Sequence, residues 1–178
     1  MKYLPILIAV MFLMSCNNSS QEATENTANG ITRTATKKDK NDIQWMTLEE
    51  VQKANIKNPR KVMVDVYTPW CGPCKMMMKS TFKDPELISF INKNYHAVKF
   101  NAEGPDPITV KGKEYANPQF NKTLPQNRRN AIHQFTATLG VRGYPTIIVF
   151  DPELNKLEEA VGFRSAQQMM EFLKGLKG

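Results

Sequence analysis

Apolar residues between positions 43 and 178 occur in short runs separated by polar turns, which is the pattern of a domain that alternates strands and helices. Runs rich in β-branched and aromatic residues predict four strands, at residues 60–67, 95–101, 146–150 and 156–161. Stretches with helical character predict five helices, at residues 47–56, 75–80, 84–93, 131–139 and 165–176. This order predicts an α/β domain in which a central mixed sheet carries helices on both faces.

Polar residues at three helix starts support these boundaries. Thr47 and Glu50 have the spacing of a capping box, and so do Ser165 and Gln168. We expect Asn130 to cap the fourth helix. Local side-chain chemistry therefore predicts where these helices begin.

The N-terminus has the form of an export signal. Lys2 and the apolar residues 4–13 resemble a secretory signal, which is too short for a membrane span. Residues 13–16, Leu-Met-Ser-Cys, resemble a bacterial lipobox, so we expect cleavage after residue 15 and lipidation of Cys16. The alternative is a cysteine left over in an uncleaved or conventionally cleaved signal. Lipidation would place the protein on a membrane of the bacterial cell envelope, facing the periplasm.

Residues 16–42 form a polar segment that separates this signal from the predicted domain at residues 43–178. The segment is rich in Asn, Ser, Thr, Gln and Lys, so it cannot bury enough apolar surface to fold. We expect a disordered tether that holds the domain roughly 30 Å from its anchor. Such a tether would let the domain reach membrane-bound and soluble partners.

Charge and cysteine count narrow the possible functions. The chain has a formal net charge of +7, which favours acidic partners or lipid head groups, or belongs to a solvated surface. Basic residues are not interleaved with aromatic ones, and there is no glycine-rich phosphate loop, so we expect no nucleic-acid partner. If Cys16 is lipidated, Cys71 and Cys74 are the remaining pair, which excludes a framework of structural disulfides.

The pair Cys71 and Cys74 lies at the predicted turn between a strand and the helix that follows. A helix N-terminus stabilises a thiolate, so Cys71 is the predicted nucleophile. Cys74, one turn further on, can attack the mixed disulfide that Cys71 forms with a substrate. Pro73 suits the first helical turn. The spacing therefore predicts thiol-disulfide exchange.

Metal binding and a static structural disulfide are the alternatives at this pair. A zinc site needs four ligands, and Cys16, His96 and His133 form no second half-site, so we expect the histidines to be surface or packing residues and no metal to be bound. The methionines at residues 76–78 suggest Cu(I), but consecutive helical residues point in different directions, which favours core packing. A Cu(I) metallochaperone and a redox-sensing binding module remain alternative functions.

Two separated motifs resemble those of the thioredoxin family, VDVYTPWCGPCK at residues 64–75 and GVRGYPT at residues 140–146. The sequence KSTFKDPE at residues 79–86 is similar to the C-terminal, periplasm-facing thioredoxin-like domain of the transmembrane thiol:disulfide interchange reductase. The resemblance covers residues 43–178, except for an insertion at about residues 104–130. It implies a thioredoxin-like fold and a thiol:disulfide oxidoreductase that needs no cofactor.

The resemblance also implies a proton-transfer pair. Asp65 matches the buried acid that assists proton transfer from Cys74, and Lys99 matches the lysine that pairs with this acid. An acid inside an apolar strand is costly without a purpose. Asp65 could instead cap or turn a strand end, and Lys99 could be a solvated strand residue.

Several positions match substrate-contacting residues of the family. Pro145 matches a cis-proline that faces the cysteines, which would leave the backbone of Tyr144 free to pair with a substrate peptide. The alternative is a trans proline that opens an edge strand. Trp70 matches an apolar platform for substrates, with ordinary packing as the alternative. Three further residues are expected on the same substrate-binding surface, Gly72, Pro73 and Gly162.

The inserted segment at residues 104–130 is rich in proline and glycine and contains a possible hairpin at residues 108–115. An insertion at this place can shape the substrate groove or be a surface elaboration. Both interpretations remain open.

The features together predict a lipid-anchored envelope oxidoreductase that works as a reductase rather than as an oxidant. The Gly72-Pro73 spacer resembles that of reducing thioredoxins, but direction depends on the reduction potential and on the partner that recharges the pair. Because the envelope does not maintain reducing conditions, we expect a membrane thiol transporter as the electron donor. The expected substrates are disulfide-containing exported proteins or apocytochromes.

Overall fold

The computed structural model describes residues 41–176. The predicted signal, the lipidation residue Cys16 and all but the last two residues of the predicted tether lie outside the described residues. Within the described range, no helix is long and apolar enough to cross a membrane. The described residues thus cover nearly all of the predicted domain at residues 43–178.

Strand β2 (Lys61–Tyr67) lies at the centre of the sheet. β3 (Tyr95–Asn101) runs parallel to β2 on one side, and β6 (Thr146–Phe150) runs antiparallel to it on the other. At the edges, β1 (Trp45–Met46) lies parallel to β3 and β7 (Lys156–Val161) lies antiparallel to β6. The predicted central mixed sheet is confirmed, and β1 is an edge strand that was not predicted.

Five α-helices accompany this sheet within the described residues: α1 (Leu48–Lys57), α2 (Gly72–Lys79), α3 (Pro85–Asn94), α4 (Gln134–Leu139) and α5 (Ala166–Gly175). The capping boxes predicted at the starts of α1 and α5 are both present. Helix α2 is short because Ser80 leaves the helical region, with φ −122° and ψ −71°. A 3-10 helix (Thr81–Lys83) follows, and Asp84 then caps α3.

Alternate residues of β2 face two different apolar layers. Val62, Val64 and Val66 belong to the layer that α1 and α4 cover, whereas Met63 belongs to the layer that α2, α3 and α5 cover. Because successive strand residues point to opposite faces, Asp65 lies on the same face as Met63. The strand therefore places one carboxyl group on the α2 side of the sheet.

Helix α4 begins later than predicted, and its cap is His133 rather than Asn130. The Nδ1 atom of His133 accepts the N–H of Phe135 at 3.1 Å. The side-chain oxygen of Asn130 instead accepts the N–H groups of Asn121 and Ala131. The prediction of Asn130 as a helix cap is therefore wrong, because that side chain holds the inserted segment.

The hairpin predicted at residues 108–115 is confirmed. β4 (Ile108–Val110) and β5 (Lys113–Tyr115) pair in antiparallel fashion. Between them, Lys111 and Gly112 have φ values of 51° and 76°. Positive φ at both central residues is what a type I′ hairpin turn requires.

Candidate active site

The two cysteines lie at the N-terminus of α2, directly after the loop that follows β2. Cys71 is the N-cap residue, and its Sγ accepts the N–H of Cys74 at 3.1 Å. The two sulfur atoms form a disulfide of 2.02 Å, and both cysteines are buried. Gly72 and Pro73 are exposed between them. Because a helix N-terminus and an N–H donor favour negative charge, the sulfur of Cys71 has the surroundings of a thiolate nucleophile.

Asp65 is buried, as predicted, and is 2% exposed. Its Oδ1 atom has no hydrogen-bond partner among the described residues. Burial raises the pKa of Asp65 to about 7, and the charge of Lys99 lowers this pKa only in part. A carboxyl group with this pKa can exchange a proton near neutral pH. Proton transfer from Cys74 remains a prediction.

Lys99 lies opposite Asp65 in the register of β2 and β3. The Nζ atom of Lys99 lies 4.6 Å from the centroid of the Tyr67 ring, which is a cation–π contact. Within the part of the chain that the structure describes, Lys99 forms no ion pair with Asp65. Lys99 thus lowers the pKa of Asp65 through its charge, without forming a direct ion pair.

Trp70, directly before Cys71, contacts Tyr144 and two residues for which the sequence predicted no role, Glu103 and Arg129. Its Nε1–H donates to Oε2 of Glu103 at 2.8 Å. Its ring meets the Tyr144 ring edge to face, with centroids 5.8 Å apart. The guanidinium carbon of Arg129 lies 4.7 Å from a Trp70 ring centroid. The indole is thus packed on several sides and remains partly exposed.

Glu103 and Arg129 are the site residues that sequence reasoning missed. The topology contains a signal for Glu103. Because β2 and β3 are parallel, the residues that follow their carboxyl ends meet at the same edge of the sheet. Arg129 has no such signal, because it comes from the inserted segment.

The peptide bond between Tyr144 and Pro145 is cis, as the family resemblance implied. Pro145 directly precedes β6, whose first residue Thr146 pairs with Val66 near the end of β2. The carbonyl oxygen of Pro145 accepts the N–H of Gly162 at 2.8 Å. Gly162 has a φ of 91°, which glycine adopts without strain. These predicted substrate-binding residues lie together, and substrate binding itself remains a prediction.

The methionines and histidines considered as metal ligands have other surroundings. Met77 is buried in the core while Met76 is 54% exposed, so neighbouring sulfur atoms do not face one site. Nε2 of His96 lies 3.0 Å from a backbone oxygen, and His133 caps α4. In the described part of the chain, no three His, Cys, Asp or Glu side chains gather as a metal site. Packing and capping account for these side chains.

Comparison with known proteins agrees with this geometry. Residues 48–177 match the Thioredoxin-like domain family. The thiol:disulfide interchange protein DsbD of Photorhabdus laumondii is 30% identical over 134 residues, which cover 74% of this chain and 19% of that protein. Protein disulfide-isomerase of Triticum aestivum is 29% identical over 113 residues, or 64% of this chain and 17% of that protein. A thioredoxin from Thermus thermophilus has the same fold, with a TM-score of 0.54 and 15% identity, over 75% of this chain and 86% of that chain.

A disulfide at the N-terminus of a helix, on a mixed sheet of this order, defines the class of thioredoxin-fold dithiol proteins. The chain belongs to the Thioredoxin-like domain family. It spans less than a fifth of the length of the two curated relatives named above.

Proposed function

We propose that this protein is a lipid-anchored thiol:disulfide oxidoreductase of the bacterial envelope that reduces disulfides in exported proteins. One observation carries the proposal. Cys71 is the N-cap residue of α2. Its Sγ accepts the N–H of Cys74 and forms a disulfide bond with the Cys74 sulfur. The likeness to a thiol:disulfide interchange protein supports the same chemistry.

The reaction begins from the reduced pair. The Cys71 thiolate attacks one sulfur of a substrate disulfide, forms a mixed disulfide, and releases a substrate thiolate that takes up a proton. Cys74 then loses its proton and attacks the sulfur of Cys71. This step releases the second substrate thiol and forms the Cys71–Cys74 disulfide. Two electrons pass from the cysteine pair to the substrate.

Asp65 is the group that we assign to the proton of Cys74. It lies on the α2 face of β2, and burial raises its pKa to about 7. A carboxylate with that pKa accepts a proton near neutral pH and gives it up again without a large free-energy change. This property suits a step in which a buried thiol must ionise.

Reduction requires a donor that returns the Cys71–Cys74 disulfide to the dithiol. A membrane thiol transporter suits this role, and the likeness to DsbD supports it. Lipidation of Cys16 would hold the domain near such a transporter. Exported proteins with non-native disulfides and apocytochromes have the disulfides on which the dithiol would act.

Trapping tests the assigned roles of the cysteines. We expect Cys74→Ser to accumulate mixed disulfides through Cys71, because the resolving thiol is absent, whereas Cys71→Ser accumulates almost none. Non-reducing gel electrophoresis followed by mass spectrometry identifies the trapped species. Equal trapping by the two variants would contradict the assignment, and failure of the parent protein to reduce an insulin disulfide would contradict the reductase.

Fractionation tests the anchor separately. Cys16→Ala should move the protein from the membrane fraction to the soluble fraction, because the lipidated side chain is lost. Metabolic labelling with a fatty-acid analogue should mark the parent chain and not the variant. Retention of the variant at the membrane would overturn the lipoprotein assignment and leave the redox chemistry untouched.

A further inference from the structure

The inserted segment is fastened to the domain by buried side chains. Asn117 is 6% exposed, and its Nδ2 donates to the carbonyl oxygens of Gly104 at 3.1 Å and of Ala131 at 2.8 Å. Nε2 of His133, which is fully buried, lies 3.1 Å from the carbonyl oxygen of Asp106. Since Nδ1 of His133 accepts a hydrogen bond, Nε2 carries the proton and donates. Both ends of the segment are therefore held in place.

The same segment is joined to the active-site loop through one carboxylate. Oε2 of Glu103 accepts the indole N–H of Trp70 at 2.8 Å and the backbone N–H of Asn130 at 2.9 Å. Arg129, which directly precedes Asn130, lies over the Trp70 ring. Glu103 thereby acts as a positioning residue that sets an arginine of the insertion beside the residue that precedes Cys71.

A pocket of about 420 Å³ lies between the loop and the segment. On one side it is lined by Tyr67 at the end of β2 and Pro69 in the active-site loop. On the other side it is lined by residues of the segment, Phe120, Leu124 and Arg128. A pocket of this size is large enough to take one or two side chains of a substrate. Its walls combine apolar groups with polar ones, and the charged residues among them are Arg128 and Glu103.

Two arginines of the inserted segment lie in this region: Arg128 lines the pocket, and Arg129 lies over the neighbouring Trp70 ring. Arg128 and Arg129 are both exposed. Neither guanidinium forms an ion pair or donates a hydrogen bond to another residue within 41–176. The acid in the pocket wall, Glu103, is only 5% exposed, and its Oε2 already accepts two hydrogen bonds. The accessible charge is therefore positive.

We propose that the inserted segment is a specificity element that binds an acidic polypeptide segment flanking the target disulfide, with Arg129 as the specificity-determining residue. An apolar side chain of the substrate enters the pocket, and a neighbouring carboxylate meets the two guanidinium groups. The inference rests on the proposed reductase function, because it concerns the substrate of that site. It explains why an insertion is tied to Trp70.

Three matched disulfide peptides test this inference. They differ only in the residue beside one cysteine, which is Glu, Gln or Lys, and each is mixed with the reduced full chain in a single turnover. We expect the second-order rate constant to be about tenfold higher for the Glu peptide than for the Lys peptide at low salt, with the Gln peptide between them. The ratio should shrink toward one in 1 M NaCl, because salt screens exposed charges.

Charge-reversal variants locate the effect. Arg129→Glu should reverse the order of the peptides, and Arg129→Lys should preserve it, because the latter keeps the charge. Lys53→Glu, on the exposed surface of α1, makes the same change in charge elsewhere and should preserve the order. The inference would be overturned if Arg129→Glu kept the original order of the peptide rate constants, or if Lys53→Glu reversed that order.

The reduction rates of the three peptides by the parent chain distinguish failure of the specificity element from failure of the proposed reductase. Equal rates for the three peptides would overturn the specificity element while leaving the reductase in place. Failure to reduce any of the peptides would instead overturn the proposed function.

Discussion

Two buried carboxyl groups, those of Asp65 and Glu103, lie near the active-site loop. Their surroundings differ in the hydrogen bonds that they provide. Asp65 lies in β2 on the α2 side of the sheet, and its Oδ1 has no partner among the described residues. Glu103 lies just after β3, and its Oε2 accepts N–H groups from Trp70 and Asn130. Both residues are almost fully buried, at 2% and 5% exposed. Burial alone therefore does not decide what a carboxyl group does.

The hydrogen bonds that each carboxyl group accepts make the difference. A buried carboxylate without donors is unfavourable, so Asp65 retains its proton until the pH approaches its raised pKa of about 7. A carboxylate that receives two N–H groups is fixed in orientation and fixes its donors in turn. The region of Asp65 thus suits proton transfer, whereas the region of Glu103 suits the positioning of Trp70 and the inserted segment.

The largest predicted effect is that of Asp65→Asn on the pH dependence of stability. In the native oxidised protein Asp65 holds its proton up to a pKa of about 7, whereas the unfolded chain loses it near 3.8. Unfolding therefore releases a proton between these values, and the stability of the parent falls as the pH rises through this window. Relative to the parent, the variant should gain up to about 4 kcal/mol in unfolding free energy between pH 4 and pH 8.

Denaturant unfolding of the oxidised protein at several pH values measures this difference. Asp106→Asn is the matched control, because that side chain is exposed and its backbone, not its carboxyl group, meets His133. A stability difference between Asp65→Asn and the parent that does not change with pH would show that Asp65 ionises normally.

The next largest predicted effect is a loss of stability in Glu103→Ala, whereas Asp65→Asn is predicted to gain stability. Glu103→Ala removes the acceptor of two N–H groups, those of Trp70 and Asn130. We expect the unfolding free energy at pH 8 to fall by about 2 to 3 kcal/mol, because two partly buried donors lose the carboxylate that accepts their hydrogen bonds. At this pH, one buried acid is predicted to lower stability and the other to raise it.

Glu114→Ala is the control for this prediction, because Glu114 is exposed in β5 and should change stability by less than about 0.5 kcal/mol. Glu103→Gln should retain part of the stability, since an amide oxygen still accepts hydrogen bonds. Equal unfolding curves for Glu103→Ala and Glu114→Ala would contradict the assignment of Glu103 as a positioning residue.

The region around Asp65 was largely predictable from the sequence, because local signals define it. The run at residues 61–67 forms the central strand, and Cys71 and Pro73 lie at the start of α2, as predicted. The burial of Asp65 followed from its place between apolar neighbours. The exception is β1, which consists of two residues and forms only because β3 offers it a partner.

The region around Glu103 was not predictable, because contacts distant in sequence define it. Asn130 has the side chain of a helix cap, yet the segment uses it to bind Asn121. His133 caps α4 instead, although histidine is not a preferred cap residue. Arg129 reaches Trp70 through an insertion whose path depends on these bonds. Side chains that bond to remote backbone groups leave no periodic trace in the sequence.

The smallest predicted effect tests how Lys99 acts on Asp65. Lys99→Gln removes a positive charge that lowers the pKa of Asp65, so this pKa should rise further. The change in free energy should be about 1 kcal/mol or less, because Lys99 makes no ion pair with Asp65 in the described chain. NMR titration of the Asp65 carboxyl group measures the shift, with the exposed Lys93→Gln as control. An unchanged midpoint in Lys99→Gln would mean that burial alone sets the pKa of Asp65, and that Lys99 serves Tyr67 instead.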